Sequence, residues 1–90
     1  MDPAETLMNT DAPMPQRLQA AEALADVADE YGLASLKLAA QSQTFPPELS
    51  RFVGRLIAHS STRLGRPVSD LELADFTTEA YLGFDEAMTD

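Results

Sequence analysis

Two consecutive prolines, Pro46 and Pro47, constrain the fold of this chain more than any other feature. A residue before proline is driven out of the α region, and two prolines in a row cannot sit inside a helix, so Phe45-Pro46-Pro47 must end whatever precedes it. Pro47 can open a helix, and Glu48 suits the positive end of that helix's dipole. The spacing predicts a helix over Pro47–Leu64, with Leu49, Phe52, Val53, Leu56, Ile57 and Leu64 along one side. Gly65 is its stop signal and Pro67 confirms the end. Ser69-Asp70-Leu71-Glu72 then reads as a capping box, with Val68 and Leu73 at the spacing of a hydrophobic staple. A last helix is expected from Asp70 to about Met88. Leu73, Phe76, Ala80, Phe84 and Ala87 hold its core positions, its outside is acidic, and Gly83 weakens its final turns.

Upstream of the prolines, a helix is expected from Pro15 to about Tyr31. Leu18, Ala21, Leu24, Ala25, Ala28 and Tyr31 share one face, and Glu22, Asp26, Asp29 and Glu30 line the other. Gly32 ends or kinks it. Leu33 to Ala40 forms a shorter helical segment, read as separate because glycine costs ~1 kcal/mol inside a helix. Gln41-Ser42-Gln43-Thr44 breaks the apolar pattern. Residues 1–14 carry scattered acids, two prolines and no sustained period, and are read as a flexible tail whose only large apolar pair is Leu7-Met8. The expectation is all-α: a small bundle of three to four amphipathic helices forming one domain over residues 15–90.

A chain of 90 residues is at most one domain, and it buries only about 60–65% of the surface its unfolded form exposes. It has no cysteine and no cluster of metal ligands to brace a small core, so oligomerisation or a partner is the expected supplement. No basic and apolar leader opens it and no apolar run approaches ~18 residues, which leaves the cytoplasm as the expected location. Fifteen acidic residues against six basic give a formal charge of -9, which opposes binding to nucleic acid or anionic membrane.

Catalytic chemistry is not legible. The single histidine, His59, stands on a helix face beside Arg55 and Arg63 with no readable cleft. Asp29/Glu30, Asp70/Glu72 and Asp85/Glu86 diverge around their helices, Ser60-Ser61-Thr62 forms no nucleophile elbow, and the four glycines form no phosphate loop. The inventory argues against an enzyme and calls for no cofactor or metal. One charged feature stands apart from the acidic background. Arg51, Arg55, His59 and Arg63, extended by Arg66, form a stripe with a four-residue spacing. It can be neutralised inside the fold by the acidic helix faces, or meet a partner's carboxylates or a phosphate backbone. A DNA-reading helix-turn-helix needs a basic second helix, whereas the helix after the turn carries Asp70, Glu72, Asp75 and Glu79 with no lysine or arginine.

The apolar inventory exceeds what one face per helix can hide, since Leu71 and Tyr81 lie off the stripe of the last helix. Surplus apolar surface on a small domain marks an interface. The expected partner contacts are Phe45, Leu49, Phe52, Leu56, Phe76, Tyr81 and Phe84, with Arg51, Arg55 and Arg63 orienting the complex by charge.

The segments Ala23–Gln43 (ALADVADEYGLASLKLAAQSQ) and Pro46–Met88 (PPELSRFVGRLIAHSSTRLGRPVSDLELADFTTEAYLGFDEAM) resemble the small quorum-sensing antiactivators that bind acyl-homoserine-lactone receptors of the LuxR type. The resemblance lies in size, acidity and helix order, with no motif that transfers binding residues. It implies a non-enzymatic, homodimeric inhibitor that occupies the surface its target activator uses to dimerise, and so prevents DNA binding. Two other readings stand beside it: a nucleic-acid-binding regulator using the arginine stripe, and an acidic phage-type mimic of DNA.

Overall fold

The computed structural model describes residues 2–27 and 29–89. Ala28, placed on an apolar face by its spacing, lies outside the described residues, as do Met1 and Asp90. The described chain contains helices and no strand, so the all-α expectation holds. Its helices are α1 (Pro3–Met8), α2 (Met14–Val27), α3 (Glu30–Ala40), α4 (Pro47–Leu64), α5 (Asp70–Asp75) and α6 (Thr78–Thr89). Six helices stand where three or four were expected, and each extra one has an identifiable cause.

Residues 3–8 are helical where the sequence suggested a flexible tail. Asp2 caps α1 by accepting from the Ala4 N–H at 3.2 Å, and Pro3 lies in the first turn. Leu7 is completely buried against α2 and α3. A single leucine and a cap therefore order a segment whose composition showed no period.

The break between α2 and α3 falls at Asp29, not at Gly32. The Asp29 carboxylate accepts the Gly32 N–H at 2.7 Å and so begins α3. Gly32 sits inside the first turn, where a Cβ would strike the Leu24 carbonyl oxygen. Its role is close approach between helices rather than termination. Tyr31 consequently belongs to α3 and points outward.

The centre of the fold is α4, which packs against α2, α3 and α6. It spans the residues expected from the sequence. Gly65, at φ 65°, ends it, with the Arg66 N–H donating to the Ser61 carbonyl at 2.9 Å. Leu49, Val53 and Ile57 are fully buried. Against them lies α6 at backbone contact: a Cβ on Gly54 would collide with the Ala80 carbonyl oxygen, and one on Gly83 with the Arg51 carbonyl oxygen.

The capping box of Ser69 and Glu72 is present in both directions, at 3.2 and 3.0 Å. The helix it starts ends at Asp75, instead of running to Met88. Phe76 turns extended (φ -71°, ψ 150°) and enters the core. The Thr77 N–H donates to the Ala40 carbonyl at 2.9 Å, and the Thr77 hydroxyl accepts the Ala80 N–H at 3.2 Å. Thr77 thus ties the break to the end of α3 and caps α6.

Candidate functional site

The helix junction of α2, α4 and α6 forms an open groove of about 680 Å³. Leu18 from α2 and Pro47 and Phe52 from α4 supply its apolar lining. Its charged rim divides into two kinds of group. Arg51 and Arg55 are engaged within the fold: Arg51 Nη2 meets Glu79 Oε2 at 2.8 Å, and Arg55 Nη2 meets Glu86 Oε2 at 2.7 Å. Glu86 also lies 4.0 Å from Arg51 Nη1. Glu22 and Glu48, by contrast, make no ion pair or side-chain hydrogen bond among the described residues.

The arginine stripe is therefore largely spoken for. Besides Arg51 and Arg55, Arg66 pairs with Glu30 of α3, and Arg63 Nη1 reaches the Ala25 carbonyl at 3.5 Å. His59 is exposed on the same helix. Such surface pairs contribute about 0–1 kcal/mol each, but they occupy the groups that a phosphate backbone would need.

The residues expected to touch a partner split into buried and reachable sets. Phe45, Leu49, Phe76 and Phe84 belong to the core, which corrects their assignment as surface contacts. They fall at core spacing, and α4, α6 and the Phe76 turn direct them inward. Phe52 and Leu56 are half-buried at the edge of the core, and Tyr81 is 44% exposed on α6. Arg51, Arg55 and Arg63 reach solvent along α4.

A second surface, unforeseen as a unit, runs over α3 and α5. Tyr31, Ala34 and Leu38 form one outward stripe of α3 at intervals of three and four. Leu38 is 63% exposed, and Leu71 on α5 is 83% exposed. Every charge at the adjoining depression is matched: Lys37 Nζ meets Glu72 Oε1 at 3.1 Å, and Arg66 pairs with Glu30. The Ser69 N–H and, after it, Lys37 hold the Glu72 carboxyl below its usual pKa. At the other end of the stripe, the Tyr31 hydroxyl donates to Asp2 Oδ2 at 2.8 Å, and that carboxylate raises the phenol's pKa. The off-stripe position of Leu71 hinted at this surface. The spacing assigns Tyr31 to the preceding helix, which hides the stripe.

Arg17 is the other residue that sequence reasoning passed over. It is 4% exposed, donates from Nε to the Leu7 carbonyl at 3.0 Å, and stacks its guanidinium 4.7 Å from the Phe45 ring centre. Its Nη2 has no acceptor among the described residues. Nothing in its spacing distinguishes it from a solvated arginine.

Among the described residues there is no group of three metal-ligating side chains, and no helix is long and apolar enough to cross a membrane. Comparisons with protein-family models, curated proteins and solved structures find no match.

Proposed function

We propose that this chain is a cytoplasmic, non-enzymatic protein-binding regulator that inhibits a transcription activator of the LuxR type by occupying its dimerisation surface. The observation that carries a binding role is the survival of large apolar side chains in solvent on three helices: Tyr31 and Leu38 on α3, Leu71 on α5, and Tyr81 on α6. Exposed apolar patches on a domain this small mark contacts with other polypeptides. The resemblance to quorum-sensing antiactivators supplies the choice of target and the homodimer. The α3–α5 face suits self-association, because its charges cancel locally while the chain as a whole is strongly acidic. Phe52, Leu56 and Tyr81, flanked by Arg51 and Arg55, remain for the activator.

Neither rival gains from the geometry. The arginines that would hold nucleic acid are engaged by Glu79 and Glu86. Of the carboxylates that would imitate DNA, Glu72 and Glu79 are themselves paired with Lys37 and Arg51.

The test is a titration of the purified chain into a purified acyl-homoserine-lactone receptor bound to fluorescent operator DNA. The expected result is loss of DNA anisotropy together with a mixed complex in light scattering. Tyr81→Ala should weaken inhibition by roughly 2 kcal/mol, while Leu71→Ser should shift the free protein from dimer to monomer and leave the stability of the monomeric fold within about 0.5 kcal/mol. DNA that stays bound at saturating inhibitor would refute the activator reading.

A further inference from the structure

We infer that the groove between α2, α4 and α6 receives a basic amphipathic helix, held by Glu22 and Glu48 over the apolar lining of Leu18 and Phe52. The inference rests on the reading that this side of the molecule meets a protein partner, and it names the chemistry of the segment that docks.

Charge selects the occupant. Glu79 and Glu86 neutralise the two arginines of the groove, so the charges left free on its rim are the carboxylates Glu22 and Glu48. Asp26, one helical turn beyond Glu22 and also exposed, extends the acidic wall. A second copy of this chain, at -9, would be repelled here, whereas lysines or arginines flanking an apolar stripe would be attracted. Shape selects a helix. The walls are themselves helices, with Leu18 and Glu22, and Glu48, Phe52 and Arg55, at the spacings that make ridges and grooves. No strand edge exists among the described residues for an extended peptide to join. The groove is open to solvent, so a helix can lay one or two large apolar side chains against Phe52 and Leu18 while its basic flanks reach the glutamates.

Nuclear magnetic resonance with the intact isotope-labelled chain tests this directly. The probe is a synthetic leucine–lysine peptide in amphipathic helical order. Its controls are a scrambled peptide of the same composition and a leucine–glutamate peptide in helical order. Any polycation is attracted to so acidic a protein, so location and order of residues are the criteria. The ordered basic peptide should shift the amides around Leu18, Glu22, Glu48 and Phe52, and should bind about tenfold more tightly than the scrambled one. Glu22→Lys with Glu48→Lys should weaken binding by about tenfold or more, with an unchanged circular dichroism spectrum. Should that pair unfold, Glu22→Gln with Glu48→Gln serves the same purpose with a smaller expected loss. The inference is overturned by shifts scattered over the acidic surface or centred on Leu38 and Leu71, by equal affinity for the scrambled or acidic peptide, or by no shift. Its fate separates from that of the activator reading. Glutamate variants that lose peptide but still release operator DNA refute the groove alone. A wild-type chain that binds the peptide in the groove yet leaves operator DNA bound refutes the activator alone.

Discussion

The α4–α6 seam and the α3–α5 edge are both laced by ion pairs, yet they are unlike in everything beneath them. At the seam, Gly54 and Gly83 let two backbones touch, and Val53, Ile57, Ala80 and Phe84 are buried between or beside the helices. Arg51–Glu79 and Arg55–Glu86 close the rim of a packed interface. At the edge, Lys37–Glu72 joins two helices of which the second, α5, buries no residue at all. The same kind of bridge thus borders a core in one place and an uncovered leucine in the other. Close approach of the backbones, which only missing side chains permit, separates the two, and an ion pair forms with or without it.

The largest expected effect follows from that difference. Gly83→Ala should cost about 3 kcal/mol or prevent folding, because its Cβ meets backbone that cannot swing aside, a severe case of overpacking. Urea denaturation measures it, and a loss below about 1 kcal/mol would show that the seam is looser than described. Next is Ser69→Ala. With little burial to hold it, α5 depends on its cap, so about 1 kcal/mol should be lost, and amide exchange should rise within residues 70–75. Unchanged exchange would mean that the edge is held by packing after all. Arg55→Gln removes one exposed bridge from the seam and should cost about 0.5 kcal/mol, an effect that shrinks with added salt. A loss as large as that of Gly83→Ala would reverse the ranking of bridge and backbone.

The smallest effect is a dependence on pH. Glu72 has a folded pKa below the usual value of 4.5, so its contribution is complete above that value and is lost as pH falls through the lower, folded pKa. Thermal melts below pH 4.5 should therefore show a slightly smaller acid sensitivity in Glu72→Gln than in the wild type. Equal acid sensitivity in the two proteins would remove the bridge and cap at Glu72 from the account of the edge.

How much of this was legible in the sequence depended on whether the deciding signal was local. The limits of α4 were readable because Pro47, Glu48, Gly65 and Pro67 act within their own turns, and the Ser69–Glu72 box for the same reason. The break at Phe76 was not, because it is stabilised by a hydrogen bond from Thr77 to Ala40, a residue remote in sequence. Spacing alone marks Gly32 and Gly83 as weak points of helices, since the backbone each one meets belongs to another element. At the groove, the opposition of basic and acidic helix faces was readable from composition and spacing. Which glutamates would be consumed by Arg51 and Arg55, and which left over, required the packing of α6 on α4.

One consequence of the buried Arg17 concerns the first few residues. An ion walled off from water by a six-residue helix regains its hydration when that helix lifts away, and this gain works against the exposure of Leu7. Removing the N-terminal turn is therefore milder than the loss of one wholly enclosed leucine suggests. The cost of enclosing that guanidinium thus offsets part of what the leucine contributes.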